Sequence, residues 1–416
     1  MSDQKLTWAQ VDSFIGNHTS PALTFHRPCP ICGSLKFKSV LELNDFQFYS
    51  DSATEPKRVD IRENMCMECG ALYLNPCYSD HGFQVLFAEA GQSYGSTEGR
   101  PTEQIDWLMS RDLLGGGSSL LDVGCYEGSF LSRLPSHVRK LGVDIDQPAI
   151  ERGRQKAHGE SIEFFHGDFE HFEFRGDSPT VITMFHVLEH LPRPVQVLKK
   201  LAAISTEDTN LVVEVPILEN GKTNDINGFF SVQHMTHFTR ASLKNALRLG
   251  GWMVLEQQEQ PGYNGCRVLA KKLPAGEPVG LDVALAKDWE ALTAYFVAWY
   301  SAINHVQSRI RAMPSEEKTV IWGGGAHTEF LYHTTTLFST DSQHQFLIVD
   351  SDTLKHGKTW RGITISSPDI LRGADWGNMN LLVSSYGGQS SIVAAARGLC
   401  VPRENIVQIY DEVHRY

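Results

Sequence analysis

The sequence predicts an α/β protein in three parts: a small cysteine-bearing N-terminal module, a central open-sheet domain and a smaller C-terminal open-sheet domain. Its 416 residues exceed one ordinary domain. Two Cys-x-x-Cys pairs stand close to the N-terminal end. Twice the chain runs from an apolar strand into a glycine turn and then a helix, the alternation that builds parallel sheets. The divisions fall at 1–99, 100–275, a helical connector at 276–314, and 315–416.

Charged residues make up 21% of the chain and the formal net charge is -12, a balance that argues against a nucleic-acid backbone as partner. The opening "MSDQKLTWAQVDSF" has neither a basic nor an apolar leader region, and no run of about 18 apolar residues follows. The expectation is a cytoplasmic protein with no membrane partner. Its eight cysteines are then read as thiols or metal ligands before disulfides.

In the N-terminal module, "HRPCPICGS" and "NMCMECGAL" place Cys29, Cys32, Cys66 and Cys69 in two similar pairs, each followed by glycine. The glycines let the chain turn and aim N–H groups at the sulfurs, and four thiolates suit structural, tetrahedral Zn2+. The 33-residue spacer is longer than in common zinc ribbons, and four metal-free thiols are the alternative. Cys77, Cys125, Cys266 and Cys400 are scattered and read as core or loop thiols.

The central domain begins with "LLDVGCYEGSFL", an apolar strand entering a Gly-x-x-x-Gly turn. A phosphate, a dinucleotide or S-adenosylmethionine would each suit such a turn. A Walker loop is excluded because no Gly-Lys-Ser/Thr follows, and the dinucleotide pattern Gly-x-Gly-x-x-Gly is not met. "KLGVDIDQPAI" predicts a second strand ending at Asp144, twenty residues after Gly124, where a carboxylate can accept hydrogen bonds from ribose hydroxyls. "SIEFFHGDFEHF" predicts a third strand before Asp168, and "PTVITMFHVLEHL" a fourth ending at His186. A helix in "PVQVLKKLAAI" and a fifth strand in "NLVVEVP" complete the series.

Over roughly residues 100 to 272 this series resembles the class I S-adenosylmethionine-dependent methyltransferases, which have a Rossmann-like fold. The resemblance implies that Asp122, Gly124 and Gly128 lie against the methionine and ribose of S-adenosylmethionine. It further implies that Asp144 binds ribose, that Asp168 meets the adenine amino group, and that Phe185 and His186 border the cofactor.

Residues 186–190, "HVLEH", also fit the zinc motif of inverted metalloproteases. That motif needs His186 and His190 on one helix, whereas residues 181–185 read as strand and Pro192 and Pro194 follow. The protease reading is rejected. Downstream, "FFSVQHMTHFTRASLKNALRLGGW" carries His234 and His237 before a helix capped near Thr239 or Ser242, and His237 reads as a core or capping histidine.

The stretch "LDVALAKDWEALTAYFVAWYSAINHVQSRIRAM" predicts the connecting helix. "KTVIWGGGAHTEFLY", "HQFLIVDSD" and "NMNLLVSSY" then predict a second, smaller Rossmann-like domain. Its Gly323-Gly324-Gly325 turn suits a phosphate or diphosphate, or is a plain tight turn.

Taken with "CPICGS", "CMECGALYLNP", "GCRVLAKK" and "FLIVDSDTLKHGKTWRGITISSPDIL", the whole order resembles the three-domain, zinc-containing C-methyltransferases of nucleotide-linked deoxy-keto-sugars. The resemblance implies that a histidine removes a proton beside a keto group and that the enolate attacks the methyl. The family's Tyr-His-Glu-His segment aligns with "SVQH": His234 holds the position of the base, and Gln233 replaces the glutamate. His190 follows the fourth strand in its turn, and His186 replaces an asparagine. The expected activity is methylation of a nucleotide-linked sugar at carbon, with His234, Gln233, His186 and His190 as the catalytic set. Methylation of oxygen or nitrogen on another small metabolite stays open, as does a zinc-bearing scaffold with a vestigial pocket.

Overall fold

The structure is a computed structural model that describes residues 24–49, 56–82, 100–157, 161–167, 169, 174, 176–260, 262–274, 276–277, 279–313, 318–338 and 346–413. The N-terminal part contributes β1 (Thr24–Phe25), β2 (Phe37–Phe48), β3 (Lys57–Cys66), β4 (Leu72–Leu74) and β5 (Cys77–Tyr78). The central part runs α1 (Arg100–Met109), β6 (Ser119–Val123), α2 (Ser129–Ser132), β7 (Arg139–Asp144), α3 (Gln147–Lys156), β8 (Ile162–His166) and β9 (Val181–Phe185). It continues through α4 (Pro194–Ala203), β10 (Asn210–Pro216), β11 (Thr236–His237), α5 (Arg240–Leu249), β12 (Trp252–Glu259) and β13 (Gly265–Lys272).

The seven-stranded central sheet has the order β12-β13-β10-β9-β6-β7-β8. Strands β6 to β10 are parallel, and β13 is inserted antiparallel to both neighbours. Strand order reverses between β6 and β9, and in open α/β sheets ligands bind outside the carboxyl ends of the strands at such a reversal. The central strands are nearly continuous apolar runs because helices cover both faces. α5 starts at Thr239, whose side chain and that of Ser242 cap each other's backbone N–H.

Short β11 belongs to the central part of the sequence but completes the N-terminal sheet, whose order is β11-β4-β3-β2. Arg27 reinforces this joint. It donates to the carbonyls of Leu74, Pro192 and Met235 from a buried position. Cys29, Cys66, Cys69 and Tyr73 therefore share one apolar core with Leu121, Val123 and Met184 of the central sheet.

The connector is α6 (Leu285–Arg311), followed by β14 (Lys318–Trp322), α7 (Ala326–Thr334), β15 (Phe346–Val349), β16 (Thr359–Trp360), β17 (Ile363–Ser366), β18 (Met379–Val383), α8 (Gln389–Gly398) and β19 (Ile406–Val407). The C-terminal sheet has the order β16-β17-β15-β14-β18-β19. Tyr295 and Trp299 of α6 pack with Phe46 and Ile61 of the N-terminal sheet and with Phe330 and Trp360 of the C-terminal domain. No described helix is long and apolar enough to cross a membrane.

Candidate active site

At the carboxyl end of β6 the chain turns through Gly124 (φ 80°), Tyr126 (φ 50°) and Gly128 (φ 74°). A Cβ on Gly124 would stand 2.3 Å from Val187, and one on Gly128 2.5 Å from Phe164, so both positions require glycine for space as well as for conformation. The turn is held from the next strand. Asp144 accepts the Tyr126 N–H on Oδ2 at 2.7 Å and the Asp146 N–H on Oδ1 at 2.8 Å. Each oxygen keeps a second lone pair, and the residue is only partly buried, as a receptor for ribose hydroxyls must be. Burial raises its pKa above the usual carboxylate range.

Asp122 lies within β6, 4% exposed, and accepts the Thr183 hydroxyl of β9 at 2.7 Å. Burial pushes its pKa up to about 7 against the pull of that hydroxyl. Its visible partner is thus the neighbouring strand, and it fixes β6 to β9 beneath the crevice. Phe185, at the end of β9, stacks edge-on against Phe130 at 5.2 Å. Asp168 lies outside the described residues.

His186 (φ 56°) leaves β9 and a single 3-10 turn, Leu188–His190, follows. His186 and His190 consequently share no helix, as the metalloprotease motif would demand. The His186 Nε2 lies 2.5 Å from the Tyr263 hydroxyl and 3.2 Å from Glu214, while Nδ1 lies 3.4 Å from Glu189. Burial alone would lower its pKa, but the two carboxylates outweigh it and push it up to about 9. Arg267 binds Glu214 at 2.5 Å and Glu103 at 2.6 Å. Burial opposes ionisation of Glu214, yet His186 and Arg267 bring it down to about 2.

Glu189, Glu214, Tyr263, Arg267 and Glu103 escaped the sequence reading. A usable signal existed, since Glu214 and Arg267 are lone charges within two apolar runs and face each other in register. Pairing those runs requires knowing that β13 inserts beside β10.

On the N-terminal side of the crevice, the His190 and His234 rings lie 4.8 Å apart and edge-on. His190 Nδ1 donates to the Gln233 carbonyl at 3.0 Å, and the Met235 N–H donates to the Glu189 carbonyl at 2.8 Å. It is therefore the backbone of Gln233 that meets His190. Burial, then the neighbouring His190 and His237, hold the His234 pKa well below its ordinary value. His237 is 1% exposed, receives the Ser231 N–H on Nε2 at 3.3 Å, and turns Nδ1 towards buried Glu63 at 3.3 Å.

The four N-terminal cysteines converge. Sγ atoms of Cys29 and Cys69 are 3.6 Å apart, and those of Cys32 and Cys66 3.5 Å. Thiolates around one zinc at bonds of about 2.3 Å stand ~3.8 Å apart, so the donor set fits that ion. Hydrogen bonding from Cys29 brings Cys32 down to about 7. In the C-terminal domain, Gly324 donates to Asp350 at 2.7 Å, and Lys355 lies 3.4 Å from the same carboxylate.

Residues 99–257 match the family described as "Methyltransferase domain". Over 109 residues the chain is 29% identical to a ubiquinone biosynthesis O-methyltransferase of Aeromonas salmonicida. That stretch spans 24% of this chain and 44% of the relative, less than half of the relative's length. Among solved structures, an S-adenosylmethionine-dependent methyltransferase from Clostridium acetobutylicum is similar at 10% identity and TM-score 0.37, covering 47% of this chain and 97% of that one. The magnesium protoporphyrin IX methyltransferase of Synechocystis, solved with bound SAH, is similar at 20% identity and TM-score 0.35, covering 41% and 81%. The glycine turn, the acid after the second strand and the family match agree: residues 99–257 form a Rossmann-like methyltransferase domain of the S-adenosylmethionine-dependent kind.

Proposed function

We propose that the whole protein is an S-adenosylmethionine-dependent methyltransferase acting on a nucleotide-linked deoxy-keto-sugar, with transfer to carbon. The observation that carries this reading is the division of the crevice. One wall offers the glycine turn and Asp144, and the opposite wall offers His190 and His234 at 4.8 Å ring separation. Bound S-adenosylmethionine would supply an electrophilic methyl group. Gly124 and Gly128 let backbone approach the ligand closely, and Asp144 would receive the ribose hydroxyls. Asp168 is assigned to the adenine amino group, and Phe185 and His186 to the cofactor's border.

His234 is the side chain assigned to the acceptor's proton, with His190 beside it and Gln233 fixing His190 through its carbonyl. His186, clamped by Glu189 and Glu214, orients the turn between the two walls. Cys29, Cys32, Cys66 and Cys69 would hold a structural zinc that keeps β4 and its partner β11 in place. The second Rossmann-like domain, with its glycine turn and Lys355, supports a phosphate-bearing acceptor.

A second reading, O-transfer to a hydroxylated small metabolite, is favoured by the likeness to an O-methyltransferase and by Gln233 standing where a carboxylate would strengthen the base. Turnover with a panel of nucleotide sugars in deuterated buffer separates the two. Carbon transfer requires exchange of the acceptor's α-proton, and His234→Ala should lower exchange and turnover together by ~10²–10⁴. Turnover without exchange, undiminished in His234→Ala, rejects the carbon reading. Failure to bind S-adenosylmethionine rejects the enzyme altogether.

A further inference from the structure

We propose that Glu189, His190 and His234 form a divalent transition-metal site on the acceptor side of the crevice, separate from the four-cysteine cluster. One ligating atom from each residue lies within 4.8 Å of the others. Two imidazoles and one carboxylate are a ligand set that suits zinc, iron, cobalt or manganese and leaves positions open to oxygen ligands. Glu189 is 1% exposed, and neither of its carboxylate oxygens has a hydrogen-bond partner of normal geometry. A buried carboxylate in that condition calls for a cation. His186 at 3.4 Å is its ion-pair neighbour and holds it from behind.

The ligands are also oriented in advance. A carbonyl can only accept, so His190 donates through Nδ1 to Gln233 and carries its lone pair on Nε2. An imidazole that gives its other N–H to a backbone carbonyl is the usual arrangement of a metal ligand. The Met235-to-Glu189 backbone bond ties the strand-end turn to the segment carrying His234. Ligand atoms around one tetrahedral ion stand ~3.3 Å apart, so closure asks for about 1 Å of side-chain movement. His237 is not a member, since its two nitrogens are committed to Ser231 and Glu63.

The inference rests on the reading of this wall as the acceptor side and deepens it. A cation here would take oxygens of the acceptor, a keto or hydroxyl pair, as its remaining ligands and acidify the neighbouring C–H or O–H. His234 would then serve as a ligand, so base and ligand are alternative roles for one side chain, and metal binding decides between them.

The test uses full-length protein whose cysteine cluster has first been loaded with zinc, titrated with Co2+ and followed by visible absorption. Wild type should bind one further equivalent with bands of a nitrogen–oxygen site and no thiolate charge transfer. His190→Gln and Glu189→Gln should each weaken that binding by at least ~10-fold while the cysteine-bound zinc is retained. Calorimetry with S-adenosylmethionine on the same samples reports folding and tests the methyltransferase reading independently. No further Co2+ uptake by wild type, or equal uptake by both variants, overturns the metal site even where S-adenosylmethionine binds.

Discussion

Asp144 accepts the backbone N–H of Tyr126 at 2.7 Å, so the acid at the end of the second central strand holds the glycine turn that leaves the first. One carboxylate thereby shapes the crevice and faces the expected ribose. Asp144→Ala should weaken S-adenosylmethionine binding by roughly ten- to hundredfold, the equivalent of about 1.5–3 kcal/mol for hydrogen bonds to a charged group. Calorimetry returning unchanged affinity would remove Asp144 from the site.

The turn itself tolerates no side chain. Gly128→Ala must hold φ 74° and bring a Cβ to 2.5 Å from the Phe164 ring. Overpacking of this kind costs about 1–3 kcal/mol. Chemical denaturation should show that loss, with cofactor affinity falling further than stability alone explains. A variant as stable as wild type would mean that the turn is looser than drawn here.

Zinc should accompany the N-terminal module. Freshly purified protein should carry metal that Cys66→Ser fails to retain, and the variant should unfold first around β4 and β11, measured by hydrogen exchange. Four native thiols titrating freely in metal-free wild type would contradict this assignment.

A pH dependence follows from His327. Burial holds its pKa down to about 3, and its nitrogens meet Ser384 at 3.0 Å and Tyr410 at 2.6 Å. The unfolded chain takes up this proton below about pH 6.5, whereas the folded protein does not. Its contribution is complete above pH 6.5 and declines as pH falls towards 3, by up to about 1.4 kcal/mol per unit. Asp225, which faces Tyr410 at 3.4 Å and is raised by burial to about 6, acts oppositely: its contribution is full below pH 4 and lost as pH rises through 6. The stability difference between wild type and His327→Gln should therefore shrink between pH 7.5 and 5. Urea midpoints with a constant difference across that range would refute it.

Local pattern made much of this protein legible. Apolar runs closed by glycine or acid marked β6, β7 and β9, because a buried parallel strand needs apolar residues on both faces and a turn needs a specific backbone conformation. Paired cysteines with following glycines marked the metal module for the same local reason. Helix α2 is shorter than the helix face from Phe130 to Leu134 suggested, since the chain frays before Pro135.

Tertiary structure alone decided which distant groups meet. Glu63 faces His237 only because β11 joins the N-terminal sheet, and Glu214 faces Arg267 only because β13 inserts antiparallel beside β10. Glu189 reads in sequence as one acid in a short turn, and it becomes a buried, unpartnered carboxylate only once His234 folds against it. Spacing along a chain specifies neighbours within one element. Electrostatic partners across elements depend on strand order, which no single segment encodes.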